Sequence, residues 1–351
     1  MVRICYINHG RFPTEKAHGF QIAQVCDALV ELGHEVTLLN PIFQNSVTVS
    51  AQENYGLRHP VRMQPLRHFD AFRSPVIPGF LGFIVSMMSY SNAVQAYLRS
   101  SRFDALYLRS PLLLQAALRS GMPVIIELHA LPRFMRARFV RHCNRCVKIV
   151  CLTTPMRDEL VSWGVNLEKV TVEADGVDLR RFGNLPDSAE AKSQWAIPAD
   201  RSVIGYVGSL VTREILEKGV RELIHAAAIL KKRDRPIFLW VVGGPDRLVK
   251  DYRNIALSLG LTEHDFQFAG FKSAHFVPAA IAACDVCVYP APKTGHPYFL
   301  RDTSPLKLFE YLAAARPVVC ADLPPVRDVV DEKSVRFFRS GDASDLAEAI
   351  D

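Results

Sequence analysis

Short apolar runs of strand length alternate with longer helical stretches along this chain, and the alternation occurs in two successive series. Arg3–Ile7, His34–Leu39, Ala105–Leu108, Val124–Glu127, Ile149–Leu152 and Val170–Glu173 read as buried strands of the first series. Ser202–Val207, Phe238–Val242, Phe266–Phe268, Val286–Tyr289 and Val318–Cys320 form the second. Between them, helical periodicity marks Gly19–Leu32, Ile84–Arg99, Val220–Lys231, Arg247–Leu259, Val277–Ala283 and Pro305–Ala315. Near-continuous apolar strands separated by helices predict parallel sheets covered on both faces. A chain of 351 residues is long for a single core, so two α/β domains are expected. The polar stretch 176–200, with Pro186 and Pro198, joins them. The domains are placed at 1–178 and 179–351. Residues 40–80 are Pro-rich and irregular, with room for a hairpin that the pattern does not locate.

Composition narrows the class. Apolar content of 49% and charged content of 22% are ordinary for a globular protein. The N-terminus reads as a buried strand rather than a signal peptide. The longest apolar run, Val76 to Met88, is broken by Pro78 and Ser86 and is too short to span a membrane. The eight cysteines sit mostly in core-like settings, which predicts reduced thiols in a cytoplasmic protein. Two C-x-x-C pairs, Cys143/Cys146 and Cys284/Cys287, have metal-ligand spacing. They fall on helical or buried segments, and no metal site is expected. Charge is uneven: residues 1–180 hold 20 Lys and Arg against 14 Asp and Glu, and the remainder balances at 22 of each. The basic first half predicts an anionic partner there.

The most informative local stretch runs from Asp302 to Glu310, Asp-Thr-Ser-Pro-Leu-Lys-Leu-Phe-Glu. Ser304 is a suitable cap and Pro305 suits the first helical position, so a helix is predicted to open here and stop before Pro317. A helix start attracts phosphate through its free N–H groups and dipole. Glu310, about one turn deeper, can accept hydrogen bonds from ribose hydroxyls. The same residues also fit a capped, half-buried helix with no ligand.

Asp302-x7-Glu310, followed by Tyr-Leu-Ala-Ala-Ala-Arg-Pro-Val-Val, resembles the E-x7-E segment of family-4 retaining glycosyltransferases, with Asp in place of the usual first Glu. The resemblance implies the GT-B fold: two Rossmann-like domains with parallel sheets facing across a cleft. It implies that Glu310 binds the donor ribose, with Asp302, Thr303, Ser304 and Leu306 lining the donor site. Gly208 to Gly219 resembles a segment in which Arg and Lys neutralise a leaving diphosphate. Lys218-Gly219 matches it, Arg213 has the expected offset, and Ser209 stands where the family often has Arg. Gly19, at the start of the first helix, corresponds to a glycine loop that closes over the diphosphate. An ordinary strand-to-helix connection is the competing reading there. His129 follows the Val124 strand, where open α/β sheets bind ligands, and by resemblance contacts the transferred sugar. Val241 to Pro245, with Gly243, and Phe268 to Phe271, with Gly270 and Phe271, resemble segments beside the nucleotide. Asp175-Gly176-Val177-Asp178 resembles an interdomain hinge. Proteins of this kind continue through a last helix crossing back to the first domain, so the second domain is expected to be truncated there.

There is no G-x-G-x-x-G after the first strand, no P-loop and no D-x-D. The activity that the resemblance implies is transfer of a sugar from a UDP- or GDP-linked donor to an acceptor hydroxyl, such as a lipid-linked or cell-surface glycan. It is expected to proceed with retention and without metal or cofactor. His129, Lys218 and Arg213 would be the catalytic residues. A sugar-nucleotide 2-epimerase and a non-enzymatic nucleotide- or membrane-binding protein are the alternatives. Pro132 to Lys148 predicts a basic amphipathic helix. Arg138, Arg141, Arg145 and Lys148 share one face, and Met135, Phe139, Cys143, Cys146 and Val147 the other. Such a helix either rests peripherally on an anionic membrane or packs with a solvated side. Without an aromatic platform, nucleic acid is not expected.

Overall fold

The computed structural model describes residues 1–14, 16–43, 47, 49–73, 77–212 and 215–351. The chain divides into two compact units, Met1–Glu173 and Ala174–Asp351. Among the described residues, no helix is long and apolar enough to cross a membrane.

The first unit carries β1 (Arg3–Ile7), β2 (Glu35–Pro41), β3 (Arg62–Leu66), β4 (Ala105–Leu108), β5 (Val124–Leu128), β6 (Lys148–Cys151) and β7 (Val170–Val172). They form one parallel sheet in the order β3-β2-β1-β4-β5-β6-β7. Alternation along β1 divides the core. Cys5 and Ile7 pack with Tyr90, Val94 and Leu98 of helix Gly79–Ser100 on one face. Tyr6 packs with Ile22, Ala23 and Cys26 of helix Ala17–Glu31 on the other. Successive strands leave β1 in opposite directions, so a topological switch point lies between β1 and β4.

The irregular region 40–80 contains no hairpin among its described residues. It supplies the short helix Ala51–Tyr55 and the edge strand β3, which pairs parallel to β2. Pro65 hid that strand, since proline is tolerated in a sheet at an edge. Val76, Ser74 and Pro75 lie outside the described residues.

The second unit carries β8 (Ser202–Val207), β9 (Val211–Thr212), β10 (Leu216–Glu217), β11 (Ile237–Val242), β12 (Phe266–Phe268), β13 (Val286–Tyr289), β14 (Val318–Ala321) and β15 (Arg336–Phe338). Six of them form a parallel sheet, β12-β11-β8-β13-β14-β15, and β9 and β10 make a small antiparallel hairpin after β8. Trp240, fully buried at its centre, donates its indole N–H to the Ala280 carbonyl at 3.0 Å. Here β8 is the central strand, and the switch point lies between β8 and β13.

All eight cysteines are free and buried. Burial pushes the Cys146 and Cys151 thiols up to about 12 and raises Cys143 and Cys287 as well. They behave as small hydrophobes. The predicted long basic helix is cut to Arg136–Cys143. Met135 adopts a left-handed backbone at φ 59° and is exposed, as is Val147. Phe139, Cys143 and Cys146 do enter the core, and Arg138, Arg141 and Arg145 remain exposed. Lys148 belongs to β6 instead, with its ammonium 3.5 Å from the Glu168 carbonyl. The Pro132–Lys148 periodicity thus continued across a helix end into a strand.

Candidate active site

In each unit, the predicted residues gather at the carboxyl ends of the central strands. In the first, the chain leaves β1 through Asn8, whose side chain folds over Gly10 with two hydrogen bonds of 2.8 and 3.1 Å. Thr14 is clamped by Tyr55, whose hydroxyl accepts from the Thr14 amide at 2.6 Å and donates to its carbonyl at 2.8 Å. Gly19 sits beneath this clamp: a Cβ there would lie 2.3 Å from the Thr14 methyl and 2.5 Å from the Tyr55 hydroxyl. Its amide donates to the Lys16 carbonyl at 3.0 Å. Close packing of the loop therefore accounts for this glycine.

The loop roofs a cavity of 650 Å³ lined by Asn8, His9, Arg11, Thr14, Arg109 and His129, among others. Arg109 directly follows β4, and His129 directly follows β5. The Arg109 Nε lies 3.1 Å from Glu127 Oε1, and its Nη2 donates to Gln21 Oε1 at 2.9 Å. His129 Nε2 bonds the same Glu127 oxygen, while its Nδ1 lies 2.8 Å from Arg109 Nη2. The Arg109 Nε also lies 2.7 Å from His129 Nε2, so the imidazole meets the guanidinium through both ring nitrogens and the carboxylate through one. Burial alone would push the Glu127 carboxyl up. Hydrogen bonds from His129 and Tyr107, with the Arg109 charge, bring it down to about 2. Burial and the Arg109 charge hold His9 below the usual histidine range. His129 stands directly after β5, as its place in the sequence indicates. Arg109 has the same signal and was missed.

In the second unit, the ends of β8, β11 and β12 interlock. The Gly208 amide donates to Val242 O at 2.8 Å, the Gly243 amide to Gly270 O at 2.9 Å, and the Leu210 amide to Gly244 O at 3.1 Å. A Cβ on Gly243, at φ 156°, would fall 2.0 Å from the Gly208 carbonyl, so only glycine allows this approach. Phe271 follows Gly270 with its ring exposed. Beyond Gly208, the hairpin returns the chain to Lys218, whose amide donates to Leu210 O at 3.1 Å. The Lys218 ammonium stands 5.7 Å from the centre of the Tyr298 ring. Burial would raise the Tyr298 phenol, but the Lys218 charge and hydrogen bonds with Thr303 and Thr212 pull it down. Arg213 and Glu214 lie outside the described residues.

The helix after Asp302 begins differently from its predicted form. It spans Leu306–Ala313, with Pro305 as the capping residue and no side-chain cap. The Ser304 hydroxyl instead accepts the Asp175 amide at 3.0 Å, tying the hinge-like segment to the helix entry. Asp302 is buried in the turn Tyr298–Asp302 and bonds Arg301 Nε at 2.6 Å. Thr303 is buried beside it. Glu310 lies one turn into the helix. Burial pushes its carboxyl up, against the opposing charges of Arg181, 3.5 Å away, and Lys307. Tyr311, on the opposite side, bridges the Val207 amide and carbonyl at 3.0 and 3.1 Å, fixing the helix to the end of β8. Arg181, Lys307 and Tyr298 were missed in the sequence. Lys307 lies inside the Asp302–Glu310 motif, which by itself gives it no role.

Two parallel α/β units, each with its polar and glycine-rich edge at the strand carboxyl ends, form the GT-B architecture of glycosyltransferases. A family model described as Glycosyltransferase Family 4 matches residues 19–181, and one described as Glycosyl transferases group 1 matches residues 201–351. The chain belongs to the family-4 type of GT-B glycosyltransferase. A D-inositol 3-phosphate glycosyltransferase of Kineococcus radiotolerans is 31% identical over 102 residues; the match spans 28% of this chain and 23% of that protein. Among solved structures, Anabaena HepE in complex with UDP and glucose superposes with a TM-score of 0.71 at 19% identity, covering 100% of this chain and 89% of that one. A Rickettsia africae glycosyltransferase gives 0.74 at 14% identity, covering 99% and 87%. Sucrose-phosphate synthase of Thermosynechococcus elongatus gives 0.71 at 18% identity, covering 100% and 89%.

Proposed function

We propose that this glycosyltransferase moves a sugar from a UDP- or GDP-linked donor to an acceptor hydroxyl, retaining the anomeric configuration and using no metal. The observation that carries the reading is Lys218. Its ammonium has no carboxylate partner among the described residues, yet it stands at the carboxyl edge of the second sheet beside a helix entry. A cation left unpaired at such a place suits an anion. Lys218 would neutralise the leaving diphosphate, where charge grows in the transition state. Arg213 is assigned to the same phosphates by its spacing. Glu310 would accept the ribose hydroxyls, with Asp302, Thr303, Ser304 and Leu306 shaping that entry. The Gly243 and Gly270 turns bring backbone close to the nucleotide, and exposed Phe271 offers a ring to the base. In the first unit, His129 is assigned to the transferred sugar, and the unit itself to the acceptor. The bond from the anomeric carbon to the phosphate oxygen breaks as the bond to the acceptor oxygen forms on the same face. The acceptor proton passes to the departing phosphate.

The structural neighbour HepE was solved with UDP, with UDP-glucose, and with UDP and glucose, which supports a uridine donor for this chain. A cytoplasmic enzyme whose first unit meets an anionic membrane through Arg138, Arg141 and Arg145 fits their exposure, with Phe134 exposed nearby. Calorimetry against UDP, GDP and ADP tests the donor reading. It expects one diphosphate to bind with EDTA present; no binding at millimolar nucleotide would refute it. NMR of donor incubated alone should show no altered nucleotide sugar. NMR of the transferred product should show the donor's anomeric configuration.

A further inference from the structure

We infer that Lys307 is a second cationic residue of the donor site, contacting the leaving diphosphate beside Lys218; this rests on the donor reading above. Lys307 is the second residue of helix Leu306–Ala313, and its side chain runs across the end of β8. The path is open only because residue 208 is glycine: a Cβ there would lie 2.1 Å from Lys307 Cε and 2.8 Å from Cδ. Gly208 also holds φ at 143°, a conformation side chains disfavour. Two independent features of one residue thus keep a channel for this lysine.

At the end of that channel, the ammonium lies 5.3 Å from the centre of the Tyr206 ring, near enough to Lys218 for the two charges to oppose each other. Two cations side by side repel, and the groups facing them offset this only weakly. Glu310, one turn along the same helix, already bonds Arg181. Tyr206 and Tyr298 present rings, and Thr212 and Thr303 hydroxyls surround Tyr298. Neither lysine has a salt bridge among the described residues. Burial and Lys218 accordingly hold Lys307 well below the ordinary lysine range. Glu310 is the one carboxylate set against Lys307 among the described residues, and a diphosphate, with oxygens on both phosphorus atoms, offers charge to two ammonium groups. Ser209 occupies the position next to Gly208 where the resemblance places an arginine. The helix Leu306–Ala313 supplies the missing charge from another element.

Because the free lysine is held down and a diphosphate restores its proton, binding takes up protons. Affinity therefore falls as pH rises from the lowered free value toward the ordinary lysine range. UDP binding, measured by calorimetry in buffers of different ionisation enthalpy, reads this directly. Wild type is expected to take up protons on binding UDP. Lys307→Met should bind UDP about 10- to 100-fold more weakly, the range for one charge-assisted hydrogen bond, and lose that uptake. Lys307→Arg should recover part of the affinity without the uptake, since arginine stays charged. Matching thermal midpoints would show that the variants fold. Wild-type affinity and proton uptake in Lys307→Met would overturn the inference and leave the donor reading intact. Failure of wild type to bind any diphosphate would overturn both.

Discussion

The proposed reaction rests, in the second unit, on the side chains of Lys218 and Glu310 and on the bare backbone of Gly208. Lys218→Ala removes the charge proposed to face the departing phosphate. It should lower kcat by about 10²- to 10³-fold, as loss of a single transition-state donor does, with a smaller change in KM; donor-turnover kinetics check this. Glu310→Gln keeps the shape but replaces the carboxyl acceptor with an amide. Its donor KM is expected to rise about 10-fold or more, and an unchanged KM would remove Glu310 from the ribose site. Gly208→Ala combines the strain of φ 143° with a collision against Lys307. It should destabilise the fold by about 1–3 kcal/mol, seen as a lower denaturant midpoint. At this scale the sequence was legible wherever a residue type is rare for its setting. A lysine at a helix start and a histidine after a buried strand both stood out. Ser304 misled because its hydroxyl has two uses, capping a helix or binding a distant amide, and only the approach of Asp175 decides between them.

Glu127, Arg109, His129 and Tyr107 act as one element-level unit at the ends of β4 and β5. The Glu127 carboxyl titrates at about 2 in the folded chain, against ~4.3 when unfolded. Its depressed value means the cluster contributes stability above about pH 4.3, on the order of 3 kcal/mol, which is lost as pH falls toward 2. Glu127→Gln should therefore lower the thermal midpoint at pH 7 and flatten the acid loss between pH 4.5 and 2, followed by circular dichroism. A midpoint equal to wild type at pH 7 would show that the cluster contributes nothing. Strands and helices with a clean period were legible: Arg3–Ile7, Ser202–Val207, Phe266–Phe268 and Val286–Tyr289 stand where their residues placed them. The misses have particular causes. Edge strand β3 carries a proline. β15, with the pattern of Arg336–Phe338, is too short to show a period. The two-residue strands β9 and β10 exist only through their pairing with each other. The basic helix was overextended because its 3.6-residue period happens to run on into β6.

The two units each carry their own sheet and core, so each should fold alone. Ala174–Asp351 expressed by itself is expected to bind UDP by calorimetry, and Met1–Glu173 is not. Binding confined to the first unit would reverse the assignment of donor and acceptor. The sequence by itself determined the α/β class, the two parallel sheets and the glycosyltransferase kinship, because buried parallel strands and helix caps are local, strongly patterned and written in consecutive residues. Tertiary structure alone decided which polar atoms meet. Arg181 reaches Glu310 across 129 positions of chain, Lys307 lies over Gly208, and Arg109 meets His129 and Glu127. Those encounters depend on angles and distances summed over whole strands and helices, and no local pattern encodes them.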